Sequence, residues 1–191
     1  MPVASSGPVT ILGIDPGLVV TGYGVIVADG SQHTSVAFGV IRPPSAAPLP
    51  ERLLRIHQGL LDVIAEHKPQ EVGIEDFIVG HTRAAVAIGE ARAAASLAAA
   101  VSGLPVAFYK PSEVKQFVTS YGRGSKDQVA LMVQALLGLA EPPAPADAAD
   151  AMAVAVCHAL KRGAGLLRTT KGQTVSVAAA APREADRRPR R

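Results

Sequence analysis

Four acidic residues occupy positions that solvation alone does not explain. The apolar run Val9-Thr10-Ile11-Leu12-Gly13-Ile14 ends on Asp15, and Pro16-Gly17 follows at once, so a buried strand must stop at a carboxylate. The run lacks polar alternation, which predicts a central strand covered on both faces, where an unpaired carboxylate is costly. Asp15 then needs an Arg or Lys, backbone donors or a cation; taken alone it equally suits ordinary Asp-Pro-Gly turn chemistry. Glu71-Val72-Gly73-Ile74 repeats the device and delivers Glu75 at a second strand end. Asp147 and Asp150 lie three apart, on one face of a helix and in its first turn, where the helix dipole favours negative charge. One of them could simply cap the helix; two on one face, separated by alanines, suit a shared ligand. Four gathered carboxylates repel and raise one another's pKa unless a cation holds them, and an all-oxygen set without matching Cys or His suits Mg²⁺ or Mn²⁺. Two such ions about 4 Å apart clamp both the attacking water and the leaving oxygen of an in-line phosphoryl displacement.

The elements that must position these acids follow from the pattern of the chain. Thr21 to Val27 predicts a second strand, residues 28–31 a turn, and Ser35 to Ile41 a third strand, giving an antiparallel meander with Asp15 at one end of its first strand. Pro43, Pro44, Pro48 and Pro50 form a stiff connector into a helix starting near Glu51. Leu53, Ile56, Leu60, Leu61 and Ile64 line its buried face, and Arg52, Arg55, Asp62 and Glu66 its solvent face. His57 and His67 have no partners at ligand spacing and are read as surface or boundary residues. The helix is long enough for a crossover, so the strand ending at Glu75 can lie parallel to the first and bring Glu75 beside Asp15.

From Ala84 to Val101 nearly every residue is small, which suits close approach by a neighbouring backbone, within the chain or across a two-fold; a homodimer contact is the reading preferred, with a plain buried helix as the alternative. Val106 to Tyr109 is a further strand, and Pro111-Ser112 opens a short helix bearing Lys115. Tyr121-Gly122-Arg123-Gly124 is a basic loop. Ser125 with Gln128 gives a capping-box pattern at the start of a helix that carries Lys126 in its first turn. The last helix runs from Asp147 to about Lys161. The expected fold is α/β: a central five-stranded mixed sheet, three strands in a meander plus parallel strands, flanked by helices.

A chain of 191 residues, 48% of them hydrophobic, can bury the core of one ordinary domain. The single cysteine, Cys157, sits in an apolar run and is expected to be a core residue in a reducing compartment. Residues 1–8 lack the features of a signal peptide, and no run reaches the length of a membrane span, so a cytoplasmic protein is expected. The net charge of +3 is misleading: residues 171–191 hold six Lys/Arg against two acids, leaving 13 against 14 in residues 1–170. We divide the chain into an extension (1–8), a folded domain (9–168) and a basic tail without apolar periodicity, expected to be disordered (169–191). With the four acids neutralised by metal, the rest of the body is mildly cationic, as a phosphate-backbone ligand requires.

In this order, Gly13-Ile14-Asp15-Pro16-Gly17, Thr21-Gly22-Tyr23-Gly24, Ile74-Glu75, Val114-Lys115-Gln116, Lys126 near a helix start and Asp147-Ala148-Ala149-Asp150-Ala151 resemble the RuvC family of Holliday junction resolvases, which have a ribonuclease H-like fold. The resemblance spans about Val9 to Lys161. It implies a homodimer that binds a four-way DNA junction and makes symmetric, metal-dependent nicks in two strands of like polarity, leaving 5′-phosphate and 3′-hydroxyl ends. It implies Asp15, Glu75, Asp147 and Asp150 as catalytic metal ligands, Mg²⁺ or Mn²⁺ as cofactor with two ions per site, and Lys115 and Lys126 as DNA contacts. The RuvA and RuvB branch-migration proteins are the partners it implies.

One departure concerns base recognition. The family places an aromatic residue three positions after the glutamate; here that position is Ile78, and Phe77 precedes it. Either Phe77 takes the role through a shifted loop or the aromatic contact is lost. Arg83 and Arg123 are candidate phosphate contacts, although a solvent-facing Arg83 at a helix start is an equal reading. The rival classes are an actin-like nucleotide-binding protein, for whose second domain the body has no room, and a junction-binding scaffold without catalysis. No nucleotide cofactor is expected.

Overall fold

The middle strand of the sheet is the one that the apolar run predicts. In the computed structural model, which describes residues 7–76, 83–119 and 126–165, β1 (Val9–Asp15) is followed by β2 (Thr21–Asp29) and β3 (Gln32–Ile41). These three pair antiparallel; β4 (Glu71–Glu75) and β5 (Val106–Tyr109) continue the sheet in parallel on the other side of β1, in the order β3-β2-β1-β4-β5. This is the mixed sheet expected. β3 begins three residues earlier than the pattern suggests, because the connecting turn is only Gly30-Ser31: Asp29 is registered with Gln32, and Gly30 takes a φ of +57°. A bulge leaves Val36 as an extra residue between the pairs Val25–Ala37 and Ile26–Ser35.

One face of the sheet is covered by α1 (Leu49–His67) and α2 (Arg83–Val101). α1 starts two residues ahead of the expected Glu51, since Pro50 fits a first turn whose N–H groups have no helical partner. Ile56, Leu60 and Val63 of α1 meet Leu12, Ile14, Val25 and Ile74 of the sheet, with Ala91, Ala94, Ala95, Ala98 and Ala99 of α2 completing the layer. The small residues of α2 thus serve close packing within the chain on this side. Arg55, Asp62 and Glu66 face solvent as expected. Arg52 does not: it is half-buried and donates from Nη2 to the Leu18 carbonyl at 2.6 Å, tying α1 to the loop after β1.

The opposite face carries α3 (Pro111–Thr119), α4 (Lys126–Leu137) and α5 (Ala146–Gly163). α5 lies almost on the strands themselves. A Cβ added at Gly22 would stand 1.9 Å from the Asp147 carbonyl oxygen, and one at Gly13 2.2 Å from that of Ala151. Residues 151–159 of α5 are all buried. Among them Cys157 is the core residue expected; burial, then the Glu113 carboxylate, pushes its thiol up to about 12. Among the described residues, no helix is long and apolar enough to cross a membrane.

A polar chain crosses this apolar layer at the start of β4. His158 is fully buried, with Nε2 2.7 Å from Glu71 Oε2 and Nδ1 2.8 Å from the Tyr109 hydroxyl. A carboxylate can only accept, so Nε2 donates to Glu71. Arg162 Nε donates to the other Glu71 oxygen at 3.0 Å. The His158 hydrogen bond chiefly holds the Glu71 carboxyl below its ordinary value, against the opposing effect of burial and with help from Arg162. Burial pushes the Tyr109 phenol up.

Two outcomes are expected. Gly22→Ala drives a methyl into a backbone oxygen that cannot rotate away, so urea unfolding should show a loss on the order of 3 kcal/mol. Because the folded Glu71 pKa lies below its usual 4.5, the stability it contributes is complete above that value and lost as pH falls through the lower folded value. The stability gap between wild type and Glu71→Gln, followed by urea unfolding from pH 7 into the acid range, should therefore be widest near neutrality and narrow below about 4.5.

Candidate active site

Register and pleat bring the strand-end acids together. Ile14 is registered with Ile74, so Asp15 and Glu75, one residue on, leave the sheet side by side. Ile14 and Ile74 pack toward α1 and α2, and successive side chains alternate, so Asp15 and Glu75 belong to the face that α5 covers. α5 runs antiparallel to β1, its first turn lying over Gly22, the register partner of Asp15. Asp150 of α5 and Lys115 of α3 join the two strand-end acids around one cavity of about 260 Å³, with Pro16, Ile88 and Pro111 as its apolar wall.

Neither acid of α5 is the N-cap residue. That position is Pro145, which makes no side-chain cap. Asp147 sits in the first turn, half-buried, with its backbone against Gly22, and is not on the cavity wall. Three of the four predicted acids therefore share the cavity and the fourth stands one helical turn away. Lys126 is the first residue of α4 and Arg83 the first of α2. Phe77, Ile78 and Arg123 lie outside the described residues, as does Ser125 of the capping box.

The donors of the cavity fit a divalent ion. The acids on its wall offer carboxylate oxygens, the hard ligands that Mg²⁺ and Mn²⁺ take. Among the described residues no three His, Cys, Asp or Glu side chains form a ready-made cage.

Sequence reasoning missed the residues that support these acids. Arg92 of α2 is ion-paired with Asp76, the residue after Glu75, and lies over the Phe108 ring at 5.8 Å. The Asp76 N–H donates to the Tyr109 carbonyl at 2.7 Å, so the chain leaving Glu75 is held from two directions. A signal existed in Arg92 itself, an isolated long charge between alanines. The loop after Asp15 is closed by the buried Thr21 hydroxyl, which donates to the Gly17 carbonyl at 2.8 Å and accepts from the Gly17 N–H at 3.3 Å.

A five-stranded mixed sheet in this order, with acids collected at the ends of β1 and β4 and at the start of the helix across them, defines a ribonuclease H-like α/β protein. Residues 11–158 match the family model described as crossover junction endodeoxyribonuclease RuvC. The chain is 48% identical over 163 residues to the Bradyrhizobium diazoefficiens crossover junction endodeoxyribonuclease RuvC, covering 85% of this chain and 93% of that one. It is 51% identical over 163 residues to the Halorhodospira halophila protein of the same description, covering 85% and 96%. The structure of Thermus thermophilus RuvC in complex with a Holliday junction substrate superposes with a TM-score of 0.79 at 35% identity, covering 84% of this chain and 99% of that one. The chain belongs to the RuvC family of crossover junction endodeoxyribonucleases.

Proposed function

We propose that this chain resolves four-way DNA junctions in recombination and repair, hydrolysing one phosphodiester in each of two strands of like polarity. The observation that carries the reading is the convergence of Asp15, Glu75 and Asp150 with Lys115 on one cavity at the sheet edge. Family membership supports it, as does the relation to the Thermus thermophilus protein, whose structure holds a Holliday junction substrate.

In this reading Asp15, Glu75 and Asp150 hold Mg²⁺ or Mn²⁺, two ions per site, and Asp147 joins them from the next turn of α5. The bound metal supplies a Lewis acid for the phosphoryl oxygens and lowers the pKa of the attacking water. Lys115, on the same wall, receives the phosphate that three carboxylates would otherwise repel. Burial of the neighbouring Ala148, Ala149 and Ala151 fixes the backbone from which Asp150 projects. The products are ligatable ends, 5′-phosphate and 3′-hydroxyl. Lys126, Arg83 and Arg123 extend the phosphate contacts, and Phe77 or Ile78 meets an unstacked base.

Two cuts need two sites. Val86, Leu97 and Val101 of α2 and Leu54 of α1 are large, apolar and exposed on the helical face away from α5, which supports pairing with a second copy there. The resulting homodimer works in the cytoplasm beside RuvA and RuvB branch-migration proteins.

Cleavage of a synthetic mobile four-way junction, compared with linear duplex of the same sequence, tests this reading in Mg²⁺ and in Mn²⁺. Paired symmetric nicks in the junction alone are expected, lost in Asp15→Asn while junction binding persists. Binding without cleavage in either metal would leave a scaffold, and no junction binding would overturn both readings. Because Asp150 lines the cavity and Asp147 does not, calorimetric titration of DNA-free protein with Mn²⁺ should show a larger loss of affinity for Asp150→Asn than for Asp147→Asn. Equal losses would place both acids in the first coordination sphere.

A further inference from the structure

The contact between α5 and the middle of the sheet is close and apolar. Gly13 faces Ala151 and Ala155, Gly22 faces the Asp147 backbone, and Gly24 faces Met152. Such pairing lets a helix come very near, and the dispersion contacts it makes are individually weak and not directional. A directional contact stands at the far end. There the buried His158 bridges Glu71 of β4 at 2.7 Å and the Tyr109 hydroxyl of β5 at 2.8 Å, and Arg162 holds the second Glu71 oxygen.

The same two elements carry the cavity acids. Glu71 and Glu75 are the first and last residues of β4, separated by about 13 Å at roughly 3.3 Å per residue. Asp150 and His158 lie eight residues apart on α5, about 12 Å at 1.5 Å per residue. The helix runs antiparallel to the strand, with Asp147 at the level of Gly22 and His158 against Gly73. Equal spans on a strand and a helix therefore join one directional contact to one pair of cavity acids.

From this geometry we propose that Glu71 and His158 form a positioning pair, which fixes the axial register of α5 on β4 and thereby the separation of Asp150 from Glu75. The proposal rests on reading the cavity as the cation site. Neither Glu71 nor His158 lines that cavity, and they act only through the helix and strand that carry the acids. An axial slip on the order of 1 Å at a reacting centre costs about 10²-fold in rate, so a small relaxation at His158 has a large effect at Asp150.

The test uses the full chain and the variants Glu71→Ala, Glu71→Gln and Tyr109→Phe, with Asp150→Asn as reference. Mn²⁺ affinity of DNA-free protein, junction affinity without metal, kcat, KM and Tm are measured for each. For Glu71→Ala the expectation is about tenfold weaker Mn²⁺ binding and a kcat lower by about 10²-fold, with KM and metal-free junction affinity unchanged. Glu71→Gln, which keeps an acceptor in place, should recover most of both. Tyr109→Phe, which removes one hydroxyl and keeps the ring, should move both in the same direction by about fivefold, the worth of one hydrogen bond; it carries the test if Glu71→Ala does not fold. Folded Glu71→Ala or Tyr109→Phe with wild-type Mn²⁺ affinity and kcat, whatever their Tm, would overturn the proposal and leave the network a matter of stability alone. If Asp150→Asn also binds Mn²⁺ as wild type does, the cavity reading falls instead; if Asp150→Asn is weakened and Glu71→Ala is not, only the positioning role falls.

Discussion

The distance between α5 and the sheet is the constraint on which the rest of the structure depends. Glycines on β1 and β2, set against small residues and backbone of the helix, remove the layer of side chains that ordinarily separates helix from strand. A helix held at normal packing distance would carry its first-turn acids well away from the strand ends. Close approach lets a carboxylate on a helix and two on strands share one cavity. The middle of that interface is apolar, and His158 and Arg162 tie α5 to the sheet by hydrogen bonds where the helix passes over the start of β4.

Much of this was legible in the chain because its signals are local and strong. The unbroken apolar run before Asp15 announced the middle strand, since burial on both faces leaves no room for alternation. Helix α1 is long enough for a crossover, which lets β4 lie parallel to β1, and it does. Periodicity puts Arg52 on the solvent face because it sees faces and not termini: the loop after β1 offers the Leu18 carbonyl where the pattern expects water. The start of β3 falls earlier than the pattern suggests because the Gly-Ser turn takes fewer residues than the composition of residues 28–31 implies.

The partners of the acids were illegible for a different reason. Arg92 and Asp76 lie sixteen residues apart, and Glu71 and His158 eighty-seven, so no window of sequence contains both members. Such pairs exist only once the sheet order has been fixed. Their chemistry resembles surface charge in a linear reading, and their burial gives them meaning. Lys161 makes the same point: it lies between the Tyr109 and Phe117 rings, with its ammonium 5.1 and 5.6 Å from their centroids, and pairs with Glu113.

β3 closes one side of the sheet and spans ten residues, long enough to serve as a template for another extended chain. The extra residue at Val36 spoils that template. A bulge breaks the even spacing of outward donors and acceptors and sharpens the local twist, so a flat incoming strand finds its ladder interrupted halfway. Phe38 and Val36, both exposed beside the break, would otherwise make this edge adhesive. The irregularity acts as a guard against edge-to-edge aggregation, on the flank of the molecule farthest from β5.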